Sequence, residues 1–156
     1  MPLKEKPKKN TKKDSDVFIA GEKLSKIDIG ADVDLMIAVA NLIKLEEHYA
    51  NSYEFTRDDI FLKLWHETRM DRGKLMSTLL KTLGVDLNKI EKKGDTWCTN
   101  KHHLSAWYGL RESASKYIAE GKFDIAKLLL EVSTKEMARF WIDIEYMKGN
   151  IKPEKP

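Results

Sequence analysis

Residues 123–148 of the chain read FDIAKLLLEVSTKEMARFWIDIEYMK and are followed by Gly149. Apolar side chains recur in this stretch at intervals of three and four residues, the spacing that gathers them on one face of an α-helix. Gly149 stands where helices often end with a residue in the left-handed conformation. The stretch therefore predicts one long amphipathic helix, whose buried face comprises Ala126, Leu129, Leu130, Met137, Phe140, Trp141 and Ile144.

Three further helices are predicted upstream by the same periodicity. The first covers about 32–54, the second runs from an N-cap at Thr56 to Gly84, and the third runs from a cap at Thr99 or Asn100 to Gly121. Proline occurs only near the two ends of the chain, so no pyrrolidine ring interrupts any of these segments. The expected apolar face of the first helix is Leu35, Val39, Leu42, Tyr49 and Tyr53. That of the second is Phe61, Leu64, Trp65, Leu75, Leu79 and Leu83, and that of the third is Leu104, Trp107, Leu110, Ala114, Tyr117 and Ile118.

The connections between these helices predict how they pack. Very short turns join the first helix to the second and the third to the fourth, so each pair is expected to form an antiparallel hairpin. Two hairpins packed face to face give an all-α fold, an antiparallel four-helix bundle over residues 17–149. Residues 17–29 are expected to cover the bundle as a short helix or an extended strap. The 85–98 connector has two open interpretations, a further helical turn or a turn centred on Gly94.

Composition places the chain among compact cytoplasmic proteins. A chain of 156 residues with 42% hydrophobic and 34% charged residues suits one domain. No apolar run approaches the ~20 residues that a membrane helix needs, and the first residues lack the apolar centre of a signal peptide. The lone cysteine excludes an internal disulfide framework and fits a reducing compartment.

The two ends of the chain are basic tails. Residues 1–13 hold six lysines and one glutamate, so the remaining 143 residues carry a net charge of −2 out of the overall +3. Residues 1–16 are too polar to bury a core and are expected to be disordered, as is the short tail 150–156. Nucleic acid is a possible partner of the longer tail through Lys4, Lys6, Lys8, Lys9, Lys12 and Lys13.

A first candidate site is a polar interruption of the predicted bundle seam. Glu46 falls where an apolar residue is expected on the first helix, and His66, Thr68 and Arg72 interrupt the second helix. Ferritin-like bundles bind two metal ions through such groups, using Glu-x-x-His motifs, which this chain lacks. The alternative is an internal ion pair between Glu46 and Arg72, Arg69 or His66.

A second candidate site surrounds the only cysteine. Cys98 and His102 are four residues apart and His103 is adjacent, so a thiolate and imidazoles would converge if the third helix begins before Cys98. These three residues are the candidate ligands of a metal such as zinc or iron. A Cys98 thiolate near a helix N-terminus is also a possible nucleophile. The competing interpretation is structural, with no cofactor, and it is the one we expect.

A third candidate is nucleic-acid binding by a winged helix. The second helix would act as the recognition helix, and residues 88–99 would form a β-wing with Lys92 to Asp95 at its tip. The length of the second helix argues against this arrangement, because a helix-turn-helix unit is built from two shorter helices.

Several short motifs resemble a group of small α-helical proteins from archaea. They are residues 45–48 (LEEH), 94–102 (GDTWCTNKH) and 140–141 (FW). The resemblance implies a cytoplasmic helical domain and brings no activity with it. Four tryptophans and five tyrosines in 156 residues suit an aromatic interface. We therefore expect a binding module without intrinsic catalysis, whose partner is another protein or a second copy of the chain.

Overall fold

The computed structural model describes residues 14–19, 22–28 and 31–151. Within these residues the chain forms two strands, four α-helices and one 3-10 helix. Of the predicted tails 1–16 and 150–156, residues 1–13 and 152–156 lie outside the described residues. In chain order the elements are β1 (Asp14–Ile19), β2 (Glu22–Asp28), α1 (Ala31–Thr56), α2 (Ile60–Thr82), the 3-10 helix (Leu87–Lys93), α3 (Thr96–Ala119) and α4 (Phe123–Lys148).

The four predicted helices are present, so the all-α prediction is confirmed for the region from α1 to α4. The segment before α1 forms an antiparallel strand pair, with Asp14 opposite Asp28. Of the two structures predicted for this segment, a short helix or an extended strap, the extended one is therefore present. Strand β2 lies against α1 and α4. Because β1 starts at Asp14, the predicted tail boundary at residue 16 falls inside a strand.

Two of the predicted N-caps are wrong. Thr56 is the last residue of α1, and its hydroxyl donates to the Ser52 carbonyl instead of capping α2. The cap position of α2 is Asp59, while the Asp58 carboxylate accepts a hydrogen bond from the Ile60 amide at 3.0 Å. Helix α3 begins at Thr96, ahead of both predicted caps, and ends as expected just before Gly121.

The helices pack chiefly as two pairs, α1 with α2 and α3 with α4. The pairs meet through α1 and α3, where Lys44 forms an ion pair with Glu112. The core joins residues 36–40 of α1 to residues 104–107 of α3, so both helices run from the core toward their turns. The turns at 57–59 and 120–122 therefore lie at the same end of the molecule, which we call the turn end.

The hydrophobic core lies at the opposite end, which we call the closed end. Its buried side chains come from the first turns of α1, the last turns of α2 and α4, and the first half of α3. Phe140 is fully buried and meets the Trp141 ring edge-on, with ring centroids 5.1 Å apart. The core residues are Met36, Val39, Ala40, Met76, Leu79, Leu80, Leu83, Val85, Leu104, Trp107, Phe140, Trp141, Ile144 and Met147.

The predicted apolar faces are not buried along their full length. Trp65, Ile118 and Leu130 were expected in the core, but 37%, 45% and 38% of their surfaces are exposed. All three lie toward the turn end. Within the described residues α2 packs on α1 and on the 3-10 helix, and it has no extensive contact with α3 or α4. Among the described helices, none therefore forms a second layer over these side chains at the turn end.

Two buried polar side chains set the register of α3 on α4. The Asn100 amide donates to the Phe140 carbonyl at 3.0 Å, and the Ser133 hydroxyl donates to the Trp107 carbonyl at 3.0 Å. Both side chains are essentially inaccessible to solvent. Each bond joins a side chain of one helix to the backbone of the other, so sliding either helix by one turn would break both bonds.

Candidate functional site

The turn end carries an unusual concentration of exposed apolar side chains. Among the described residues, twelve large hydrophobic side chains are exposed, and eleven of them lie in two segments, 45–70 and 118–130. We call the first segment arm 1 and the second, extended to include Lys116, arm 2. The turn-end surface is defined as the eleven side chains Leu45, Phe55, Ile60, Leu62, Trp65, Met70, Ile118, Phe123, Ile125, Leu128 and Leu130.

The most exposed members of the turn-end surface stand beside the turns. Phe55 is 91% exposed at the end of α1, and Phe123 is 56% exposed at the start of α4. Leu128, one turn further into α4, is 58% exposed. The twelfth exposed hydrophobic side chain, Ile142, lies on α4 beyond arm 2 and has no other member near it in sequence. Single exposed hydrophobic residues are common on proteins, whereas this concentration is characteristic of an interaction site.

A buried ion pair marks the boundary between the core and arm 1. The Arg72 guanidinium donates from Nε to Glu46 Oε2 at 2.6 Å and from Nη2 to Glu46 Oε1 at 3.2 Å. Only 9% and 11% of the two side-chain surfaces are exposed. Two parallel charge-assisted bonds satisfy both groups, which makes the pair an internal link between α1 and α2.

The other two members of the predicted polar core cluster lie apart from this pair. His66 is exposed on α2, and Thr68 is half-buried. Folding the first two helices about residue 55 predicts Glu46 level with Leu64 and Trp65, but the turn is centred near residue 58. This shift brings Arg72 opposite Glu46 and leaves His66 nearer the turn.

His103 belongs to a second polar cluster, which joins α3 to α4. Its Nδ1 lies 2.6 Å from Glu136 Oε2, and its Nε2 lies 3.7 Å from Asp143 Oδ2. The Thr99 hydroxyl donates to the same Asp143 oxygen at 2.7 Å, and Arg139 forms an ion pair with Glu136. The imidazole is therefore held between two carboxylates on one face of α4.

This cluster alters the acidity of one carboxyl group. The hydrogen bond with His103 favours the ionised form of Glu136 and holds its pKa below the ordinary value of 4.5. Partial burial opposes this effect, and the Arg139 guanidinium adds to it. The Glu136 carboxylate is therefore stabilised as an internal partner of the imidazole.

The three predicted metal ligands do not form a group. Helix α3 does begin before Cys98, as the prediction required, but Cys98 and His102 are both exposed, whereas His103 contacts α4. Across the part of the chain that the structure describes, no group of three or more His, Cys, Asp or Glu side chains is arranged to hold a metal ion.

An open groove runs between α2 and the start of α3. It has a volume of about 490 Å³ and includes Arg69, Met70, Gly73, Lys74 and Trp97 in its lining. A Cβ atom at Gly73 would meet nothing within 4 Å, which shows how open the groove is. The β-wing predicted next to it is wrong, because residues 87–93 form a 3-10 helix and α3 follows directly.

Sequence reasoning missed the α4 residues that face His103. Glu136 and Asp143 are seven residues apart, and both flank the buried Phe140 by three or four residues. This spacing places them beside the apolar face of α4, where acidic residues are uncommon, and that was the available signal. Asn100, whose Oδ1 is buried without a hydrogen-bond partner among the described residues, is predicted from the sequence only as a possible cap.

Comparisons with known proteins add no assignment: no family model matches the chain, and neither a curated protein nor a solved structure is detectably similar to it. The resemblance to small archaeal proteins therefore stays a prediction. Among the described residues, no helix combines the length and the apolar content needed to cross a membrane.

Proposed function

We propose that this chain is a cytoplasmic protein-binding module without intrinsic catalysis, built as two antiparallel helical hairpins that dock a partner at the turn-end surface. One observation carries the proposal: eleven of the twelve exposed large hydrophobic side chains of the described residues lie in the two arms. The core at the closed end supports the arms and leaves their apolar faces uncovered.

The size of the turn-end surface supports this proposal. At roughly 150 Å² for each fully exposed large side chain, most of them aliphatic, the fractional exposures correspond to about 450 Å² on arm 1 and about 350 Å² on arm 2. Each sum is comparable in area to the largest apolar patch of a typical monomer, about 300–600 Å². Removing such surface from water is the main driving force of protein association.

The polar clusters support binding over catalysis. Glu46 and Arg72 satisfy each other, and His103 is held between two carboxylates that themselves contact Arg139 and Thr99. In both clusters the charged atoms are directed at neighbouring helices, which is the arrangement of structural ion pairs.

The Lys-rich segment 1–13 has an accessory role in this proposal. Its net charge of +5 would attract an anionic partner such as nucleic acid, and the attraction would weaken as salt is raised. Sequence charge alone supports this part of the proposal.

The proposal is tested by partner capture with matched variants. Full-length protein is immobilised and incubated with extract of the source cells, and the bound proteins are identified by mass spectrometry. The test variant carries Phe55→Ser and Leu128→Ser, and the control variant carries Ile142→Ser, which removes an exposed apolar side chain outside the arms. Circular dichroism verifies that all three proteins are folded.

We expect the wild type and the Ile142 variant to retain the same proteins, and the double variant to lose them. Retention of an identical protein set by the double variant would contradict docking at the turn end. Turnover of a substrate by purified protein, abolished by a change at His103 or Cys98, would contradict the absence of catalysis.

A further inference from the structure

We propose that the turn-end surface is covered by a second copy of the chain, in a symmetric dimer in which arm 1 of each protomer docks on arm 2 of the other. This inference rests on the proposed function, because it names the occupant of the same surface. Two observations carry it: the area of the surface and the opposite charge of the two turns.

The area matches what a stable dimer buries. The eleven side chains together expose about 800 Å² over the two arms, close to the roughly 800 Å² that each partner buries in a standard protein interface. The turn-end surface is part of every folded protomer and is exposed to water unless a partner covers it. A second copy of the chain is always present at equal concentration and would cover both arms at once.

The polar residues around the two turns have opposite net charge. Residues 54–59 of arm 1 hold Glu54, Asp58 and Asp59 against Arg57, a net charge of −2. Residues 116–127 of arm 2 hold three lysines against Glu120 and Asp124, a net charge of +1. Two copies of arm 1 would therefore repel each other, whereas arm 1 and arm 2 attract.

Several charges at the turns are free to face a partner. Among the described interactions, Glu54 and Asp59 have no ion-pair partner, and neither does Lys116. Lys127 has only a 3.9 Å contact with the fully exposed Asp124. These groups can pair across an interface without breaking an internal bond.

In a dimer with two-fold symmetry, both arms of each protomer would lie in the interface. In a symmetric dimer every contact occurs twice, so the contact of arm 1 with arm 2 of the partner is repeated by arm 2 with arm 1 of the partner. This arrangement gives both arms of each protomer a partner and leaves no arm open to extend into a chain of molecules. The closed end, where the core is complete, stays outside the interface.

Sedimentation velocity on the full-length protein over a range of concentrations tests the occupant. We expect the wild type and the Ile142→Ser control to sediment as dimers. Phe55→Ser and Leu128→Ser should each weaken dimerisation by at least about tenfold, since truncating a central apolar anchor commonly has that effect. Wild-type protein that stays monomeric, or a double variant that stays dimeric, would overturn the proposal.

Charge reversal tests which arms meet. Glu54→Lys with Asp59→Lys should weaken the dimer several-fold, because basic arms would then face each other. Adding Lys116→Glu and Lys127→Glu to the same chain should restore it, because the two arms regain opposite charge. A combined variant that associates more weakly than the first one would overturn the pairing of arm 1 with arm 2.

The outcome also separates this inference from the proposed function. A monomeric wild type that still captures the same proteins through Phe55 and Leu128 would reject the second copy and leave the docking surface in place. A dimer that does not depend on these residues would reject the second copy at this surface, and capture of other proteins that is equally independent of them would reject the docking surface as well.

Discussion

Breaking the buried ion pair between α1 and α2 on one side only should destabilise the fold strongly. Arg72→Met keeps an unbranched apolar side chain but removes the guanidinium, so the Glu46 carboxylate, in a residue only 8% exposed, loses both of its charge-assisted bonds. Removing one partner of a buried pair typically costs about 3–5 kcal/mol. The described residues offer no second cation in contact with Glu46, so we expect a loss of about 3–4 kcal/mol, which corresponds to a fall in Tm of about 10 °C.

Removing both partners should restore most of this stability. Glu46→Met combined with Arg72→Met leaves no buried charge, and the apolar side chains extend the contact between α1 and α2. Replacing a whole buried pair by apolar residues is often neutral or stabilising, so we expect the double variant to unfold within about 1 kcal/mol of the wild type. The coupling between the two positions is then the difference between the double change and the sum of the single changes.

Urea unfolding followed by circular dichroism measures these free energies. Lys63→Met is the matched control, because Lys63 and Glu67 form a pair on α2 in which 71% and 55% of the side-chain surfaces are exposed. Such exposed pairs contribute about 0–1 kcal/mol, so this change should hardly alter the unfolding midpoint. A loss below about 1 kcal/mol for Arg72→Met, or a double variant as unstable as the single one, would refute the reasoning.

Three other predictions concern the second polar cluster, the cysteine and the tail. Because the pKa of Glu136 lies below 4.5 in the folded protein, its carboxylate contributes stability above the unfolded pKa, and this contribution is lost as pH falls through the folded value. Glu136→Gln should therefore lower the unfolding free energy by about 1–2 kcal/mol at neutral pH, and thermal melts should show this difference shrinking as pH falls below 4.5; a difference independent of pH would contradict this. Exposed Cys98 should react fully with a disulfide reagent in the native protein, and elemental analysis should find no stoichiometric zinc or iron that is lost on Cys98→Ser. Deleting residues 1–13 should remove any salt-sensitive affinity for duplex nucleic acid in a gel-shift or fluorescence titration; tight binding that survives the deletion would instead point to the helices.

The number, type and order of the helices could be predicted because these properties are local. The apolar spacing along residues 123–148 and the glycine after it specify α4 almost to the residue, since both act within a few turns of one helix. Helix starts were harder to predict. Thr56 is a good capping residue, yet the turn placed it at the end of α1, and two aspartates follow it at the start of α2.

The partner of Glu46 could not be fixed from the sequence because it depends on the position of the turn. Moving the centre of a helical hairpin by three residues shifts the opposing position by about six, close to two helical turns. Arg72 was among the alternatives, and only the register of α1 on α2 selects it. The contact of His103 with α4 likewise depends on how two helices pack, which the periodicity of a single helix does not predict.

Periodicity also says nothing about what covers an apolar face. Trp65, Ile118 and Leu130 have the spacing of core residues, and the prediction placed them in a closed bundle. The structure keeps the helices and leaves the arms uncovered. A face that has the pattern of a core but lies open is a common signature of an interface, and the proposed function rests on this mismatch.

Because the core lies far from the turn end, a small tilt of a helix in the core moves the tip of its arm by a larger distance. From Ala40 in the core to Thr56 at the turn, α1 extends for about 24 Å at 1.5 Å per residue, so tilting the helix by about 5° would move its tip by about 2 Å. A slight repacking of Met36, Met76 or Phe140 would therefore change the spacing of the two tips by a distance comparable to half a side chain. Substitutions buried far from any partner can in this way tune which partner fits.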